Sequence, residues 1–383
     1  MKKLLSIITV ILMFFALTSC NKNEYKGEVK TYNDMLNRRV EVSKKPSRIV
    51  CIGAGALRLY SYIGDIDLLC GVEDIDKTST TVKNNLSVRP YQLALAETID
   101  KLPSCGVGGP KAQHPEAEKI LSCKPDLVIS LMNDIKEINE LQNNIKVPVI
   151  VLDYGNTEVF DQKLYDSLTL LGDLLDKEER AKEVIDYIKG VEMELKHITN
   201  NIKEDEKPSI YLACHAHWGS KGFFSSTTNY SIFNASNIKN VLDVALGKDK
   251  GYVEAVDQEI LLTKHIPDKV IVDASGINLF KNEYADNNTA KIFNSMKAFK
   301  EGEVYLSLPY NAYYTNIEIA CLNAYYAASV SYPELFKNFD INAKGKEMFK
   351  FFFGTDVYDT TISKLGYGYG KINLEKEFPN YAK

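Results

Sequence analysis

Between Ala213 and Phe224 the chain reads ACHAHWGSKGFF. His215 and His217 end an apolar, β-prone run, and strand periodicity puts both on one face. Two imidazoles on one face, just before a glycine, are either ligands for a metal or haem or a hydrogen-bonded structural pair. Trp218, the single tryptophan, and Lys221 follow directly. Farther on, LPYNAYYTN carries Tyr310, Tyr313 and Tyr314. Phenols pack in cores and stack on flat ligands, and a phenolate can hold ferric iron.

Cations collect at other strand ends. Arg58 stands in GAGALR, Arg89 and Tyr91 in VRPYQLA, and Lys111 with His114 in GVGGPKAQH. Together these suit an anionic ligand; taken singly, each is equally a surface charge. In GAGALR, Gly53 and Gly55 allow a tight turn, but Arg58 stands where a dinucleotide motif needs its third glycine. GxSxG, HExxH and P-loop patterns are absent from the sequence, which removes the common hydrolase signatures. The chain has only 5 His, and His197 falls in a helical segment, so a closed cage of His and carboxylates for bare zinc or manganese is hard to assemble.

The elements that must position these groups alternate. SRIVCIG (47–53), DLLCGVE (67–73), DLVISL (126–131) and VPVIVLD (147–153) are short apolar runs separated by helix-like stretches. SIYLACHAH (209–217), KVIVDAS (269–275) and EVYLSLPY (303–310) repeat the scheme. Such alternation predicts parallel α/β sheets, hence two lobes. Between them, residues 176–207 place Ala181, Val184, Ile185, Ile188, Val191 and Leu195 at helical spacing. This predicts one helix of about seven turns, with Asp176 and Glu179 as an N-capping pattern. EKILSCKPDLVIS, from Glu118, is echoed by EILLTKHIPDKVIVDAS, from Glu259, and each lobe opens on KPS.

The N-terminus, MKKLLSIITVILMFFALTSC, has a basic pair, an apolar run and a small-residue approach to Cys20. That is the pattern of an export signal, and LTSC resembles the lipobox whose cysteine becomes the lipidated first residue. The expected layout is a signal peptide at 1–19, a lipid-anchored leash and entry segment at 20–44, an N-terminal lobe at 45–160, a helical linker at 161–206, a C-terminal lobe at 207–375 and a tail at 376–383. A net charge of -5 argues against nucleic acid and against a polybasic membrane footprint. The cysteines at 51, 70, 105, 123, 214 and 321 sit mostly among apolar neighbours and are expected as buried free thiols.

Taken together, the lipobox, the paired lobes, the long helix, GPKAQHPEAEKILSCKPDLVIS and LPYNAYYTNIEIACLNAYYAA resemble the substrate-binding proteins of ABC importers. The likeness is to the helical-backbone class that captures iron-siderophores, haem and cobalamin, over roughly residues 46–360. It implies an α/β fold of two Rossmann-like lobes joined by one long backbone helix. It also implies a non-enzymatic, monomeric receptor without an intrinsic cofactor, attached to the membrane only through its N-terminal lipid. The cargo would be an iron chelate, with a ferric siderophore or related iron compound as the leading reading; haem, cobalamin, or a bare or histidine-chelated transition metal are the alternatives, and an exported hydrolase is the remaining one. The resemblance further implies that Glu118 and Glu259, one per lobe, meet arginines on a permease dimer.

Overall fold

The computed structural model describes residues 28–80, 88–109, 114–155, 159–216 and 219–373. Cys20, Lys111, His217 and Trp218 lie outside the described residues.

The chain enters through a hairpin, β1 (Val29–Asn33) against β2 (Arg39–Ser43). These residues were expected to serve as leash and entry, yet they pack on the N-terminal lobe. Tyr32, Val40 and Val42 are buried. A buried Arg38–Asp34 ion pair of 2.7 Å holds the turn, and Met35 N donates to Val151 O at 3.0 Å. Alternation of apolar residues with charges in the segment is what permits this half-buried pairing.

The N-terminal sheet is built from β3 (Ile49–Ile52), β4 (Leu69–Glu73), β5 (Ser104–Gly106), β6 (Leu127–Ser130) and β7 (Val149–Val151), in spatial order β5-β4-β3-β6-β7 and parallel throughout. Its strands are apolar on both faces because helices cover both. Ile49, Cys51 and Ile129 face one core, and Val50, Ile52 and Val128 the other.

The C-terminal sheet follows the same plan with a different margin. β8 (Ser209–Ala213) lies between β10 (Lys239–Asn240) and β12 (Lys269–Asp273), with β13 (Val304–Ser307) beyond, all parallel; β14 (Gly370–Lys371) closes the edge antiparallel to β13. A separate antiparallel pair joins β9 (Ser226–Thr227) to β11 (Tyr252–Val253). Phe223, Phe280, Phe293 and Phe299 fill the outer core of this lobe.

The linker consists of two helices, Gln162–Leu174 and Glu178–Thr199. The second is the predicted long helix, with Ala181, Val184, Ile188, Val191 and Leu195 buried and Ile185 partly so. It is shorter than expected at 22 residues. It also starts one residue past the anticipated cap: Lys177 takes the N-cap position, while Asp176 turns the chain at φ 53°. Gly172 permits the two helices to meet, since a Cβ there would fall 2.5 Å from the Ala181 Cβ.

A second bridge was not legible in the sequence. After the helix Ile317–Ser331 the chain returns to the N-terminal lobe, where helices Ile341–Phe353 and Tyr358–Leu365 pack on Ala56–Ile63 and Pro90–Ile99. Phe352 lies 4.8 Å from Tyr62, and Phe351 stacks on Tyr187 of the long helix at 4.1 Å. Arg180 joins all three parts by donating to Tyr62 O at 3.0 Å and Phe351 O at 2.5 Å. One hydrophobic core therefore runs through both lobes, from Leu57 and Tyr62 through Val184 and Ile188 to Leu212, Leu322 and Phe352. A wide hinge opening would expose this shared core. Burial of each such side chain is worth about 1.5–3 kcal/mol, so rigid lobes are the low-energy state.

Candidate functional site

The carboxyl ends of both parallel sheets converge between the lobes, where open α/β sheets place ligands. On the N-terminal side, β3 ends in Gly53 and Gly55, with φ of 85° and 83°, and the helix Ala56–Ile63 begins at once. This turn delivers Arg58. It is 0 % exposed, and its guanidinium donates to the C-terminal lobe: Nη2 to Ala312 O at 2.8 Å and Nη1 to Tyr313 O at 3.1 Å. Nη1 also reaches the Tyr154 hydroxyl at 3.3 Å. Arg58 is thus engaged with the protein's own backbone as a tether between lobes.

The strand β4 ends in a carboxylate that the sequence reading passed over. Glu73 Oε2 accepts from Gly53 N at 3.0 Å and from the Tyr313 hydroxyl at 3.2 Å. Burial, and then the nearby charge of Asp76, push its carboxyl up to about 8. Asp76 is buried too; it accepts from the Tyr91 hydroxyl and lies 4.0 Å from Arg89. Arg89 caps the helix Pro90–Ile99 from an extended conformation, as a residue before proline favours. Its guanidinium lies 5.5 Å from the Tyr313 ring centre, and that of Arg58 lies 5.1 Å from the Tyr91 ring centre.

What enters from the C-terminal side is the loop after β13. Asn311 and Thr315 form a bridge, and Tyr313 and Tyr314 between them sit at φ 53° and 70°. A left-handed conformation costs a non-glycine residue roughly 1–2 kcal/mol, and such strain gathers at ligand clamps and switches. The Tyr313 hydroxyl donates to Glu73 and accepts from Gly109 N at 2.7 Å. Tyr314 is 45 % exposed, with its ring 4.7 Å from that of Tyr154. Deeper in, Tyr62 donates to Glu318 Oε2 at 2.5 Å; burial raises the Glu318 carboxyl.

The C-terminal wall is aromatic. His215 is 5 % exposed, with Tyr230, Tyr252 and Tyr310 rings centred 5.5, 6.2 and 6.4 Å away. The strand-periodicity argument for the histidine pair does not apply. β8 stops at Ala213, and Cys214 at φ 60° breaks the alternation before His215 is reached. His215 is instead fixed by its backbone, which exchanges hydrogen bonds with Ser225 at 3.0 and 2.7 Å. Tyr310 is buried at 1 % exposure, so of the three tyrosines only Tyr314 presents substantial open surface. Lys221 pairs with Glu254 at 2.6 Å. Asp273, at the end of β12, is pushed up to about 7 by burial. Among the described residues, no three His, Cys, Asp or Glu side chains converge to hold a metal ion.

Glu118 and Glu259 are both surface residues. Glu118 is exposed in the first turn of Ala117–Ser122. Glu259 is exposed and 3.1 Å from Lys264. His114 lies on the surface, 2.6 Å from Glu137. The six cysteines among the described residues are buried and free, as their apolar neighbours predict.

The residues missed by sequence reasoning are Glu73, Asp76, Tyr154, Tyr62 and Glu318. Glu73 was within reach, since a carboxylate ending an apolar strand faces the strand-end cleft. Tyr62 and Glu318 read as ordinary helix residues, and only the packing of the lobes brings them together.

Two parallel sheets that face each other by their strand ends, on a helical spine and with a shared core, define a two-lobed solute receptor. The chain belongs to the periplasmic binding protein family, whose model matches residues 49–309. It is therefore an extracytoplasmic substrate-binding component of the ABC-importer type, not an enzyme. It is 21 % identical over 264 residues to the high-affinity heme uptake system protein IsdE of Staphylococcus aureus (strain bovine RF122 / ET3-1), covering 62 % of this chain and 84 % of that protein. It is 23 % identical over 311 residues to the Fe(3+)-citrate-binding protein YfmC of Bacillus subtilis (strain 168), covering 79 % and 89 %. The molybdate periplasmic binding protein MolA of Haemophilus influenzae superposes with a TM-score of 0.63 at 16 % identity, covering 85 % of this chain and 98 % of that one. These proteins are named for haem, ferric citrate and molybdate, so one scaffold carries unlike cargoes.

Proposed function

We propose that this receptor captures an iron chelate and delivers it to an ABC importer permease, while held outside the cytoplasmic membrane by lipid on Cys20. The observation that carries this reading is the pairing across the cleft of a histidine- and tyrosine-lined wall with a wall holding Arg58 and Arg89. Imidazole and phenol suit ferric complexes and flat macrocycles, and the names of the relatives for haem and ferric citrate agree. The proposed contacts are Tyr314 and Lys221, which are partly exposed, with the buried His215 and Arg89 behind them; Lys111, His217 and Trp218 are further candidates from the sequence. Tyr91, Arg58, Tyr310 and Tyr313 would act from behind, because hydrogen bonds or packing already engage them.

Glu118 and Glu259, exposed and one per lobe, are the proposed contacts to the permease. The test of cargo is to isolate the mature chain, record its absorption spectrum and iron content, and titrate it with haemin, ferric citrate, ferric siderophores and cobalamin while following Trp218 fluorescence. Saturable quenching by one iron chelate is expected. Silence toward all the iron compounds would overturn the reading.

A further inference from the structure

We propose that the Asn311–Thr315 loop is an internal gate, with Tyr313 occupying a phenol socket on the N-terminal wall that a ligand must empty to reach that wall. The proposal rests on the receptor reading above and adds a moving part to it.

The geometry of the socket is specific. A phenol hydroxyl can donate one hydrogen bond and accept others, and Tyr313 uses both roles on the other lobe. It donates to Glu73 Oε2 and accepts from Gly109 N, while Arg89 lies beside the ring. The loop carbonyls of Ala312 and Tyr313 meanwhile take up Arg58. Four groups of the N-terminal wall, Arg58, Glu73, Arg89 and the Gly109 amide, are thus engaged by a single short segment of the opposite lobe.

The loop is also built to leave. Consecutive left-handed tyrosines are a conformation the isolated segment would not choose, so the cross-lobe bonds hold it in place. Because the lobes share one core, a small loop movement is a cheaper way to admit a ligand than rotation of the lobes. Tyr314 rides on the same turn and is half exposed, which lets an incoming ligand reach the loop before the socket opens.

The test uses the mature chain and three variants. In Tyr313→Phe the socket loses the hydroxyl but keeps the ring. Amide hydrogen exchange over residues 310–316 should then speed up roughly three- to tenfold, the scale of one lost hydrogen bond. Glu73→Gln retains an acceptor oxygen and should preserve the protection that Glu73→Ala loses. Stopped-flow quenching of Trp218 by haemin and by ferric citrate reads the gate itself. Wild-type association should level off with rising probe, as a preceding opening step requires, and Tyr313→Phe should lift that plateau. Exchange unchanged in Tyr313→Phe, or association linear in probe and equal in both proteins, would overturn the gate. If neither probe binds, the iron-chelate reading fails, whereas the exchange contrast between Tyr313→Phe and Glu73→Gln still decides whether the latch exists.

Discussion

The N-terminal lobe opens on Lys45-Pro46-Ser47 and the C-terminal lobe on Lys207-Pro208-Ser209, and each serine is pinned by the aspartate of a later Pro-Asp. Asp126 accepts from Ser47 N and Ser47 Oγ, both at 2.8 Å, and from Arg48 N at 2.9 Å. Asp268 accepts from Ser209 N and Ser209 Oγ, both at 2.9 Å. The clamp ties the entry of β3 to that of β6, and the entry of β8 to that of β12. Half of the internal repeat is therefore a folding device. The other half, the preceding glutamate, is free of that duty in both lobes. The lobes diverge between glutamate and aspartate, because Glu259 to Pro267 is one residue longer than Glu118 to Pro125. The N-terminal segment is an α-helix; the C-terminal one takes up the extra residue as a π-turn over Ile260–Lys264, with His265 N bonded to Ile260 O at 2.7 Å. A one-residue insertion that keeps both ends in register is what π-turns accommodate. The cleft faces diverge further, into a charged wall on one side and an aromatic one on the other. Repetition thus follows the needs of folding, while difference collects at the cleft faces.

The comparison breaks most visibly at Arg58, which has no counterpart in the C-terminal lobe. Arg58→Ala removes the donors to the buried Ala312 carbonyl and the part-buried Tyr313 carbonyl and should cost roughly 3 kcal/mol of unfolding free energy, measured by urea denaturation. A variant as stable as wild type would mean that the lobes do not depend on this tether.

Each wall also holds one buried strand-end carboxyl above its ordinary range, Glu73 at about 8 against 4.5 and Asp273 at about 7 against 3.8. Both are acids raised on folding, so the folded chain holds more protons than the unfolded one. Their contribution is complete below about pH 4 and declines as pH rises, through about 7 for Asp273 and about 8 for Glu73. Thermal melts from pH 5 to 8.5 should show Asp273→Asn removing about half of the decline below about pH 7 and none above it, and Glu73→Gln removing the other half together with all of the decline between about 7 and 8. Identical pH profiles for wild type and both variants would contradict the assignment.

The strand-entry clamps give a smaller effect. Asp126→Ala should destabilise by about 1–2 kcal/mol, somewhat more than Asp268→Ala, because Asp126 serves one more backbone donor. A larger cost for Asp268→Ala would show that its ion pair with Lys297, at 2.6 Å, outweighs the extra backbone donor of Asp126. Smallest in stability, Glu118→Ala and Glu259→Ala should each shift unfolding by within about 0.5 kcal/mol and leave cargo affinity unchanged. The double substitution should abolish transport-stimulated ATP hydrolysis in a reconstituted importer; wild-type transport by it would reduce the glutamates to helix-terminus charges.

Much of the architecture was written locally. Seven of the ten strands of the two main sheets, the buried face of the long helix and the burial of the cysteines follow from apolar runs and their period, which a chain carries without knowing its neighbours. The Glu-to-Pro-Asp repeat was equally plain. Its aspartate's partner was not, because hydrogen bonds between Ser47 and Asp126 span 79 residues. Distance along the chain marks the other failures as well. The entry hairpin needs the edge formed by Val149 and Val151, the C-terminal helices need the exposed faces of Ala56–Ile63 and Pro90–Ile99, and Arg58 meets the Tyr313 carbonyl across 255 residues. Arg58 read as a cation for a ligand because a sequence shows charge and position but not which acceptor arrives first. The sequence by itself determined two parallel lobes, a helical spine and a cleft at the strand ends. Only the tertiary structure decided which polar groups face that cleft and which are already engaged, since burial and hydrogen-bond partnership are properties of the assembled lobes.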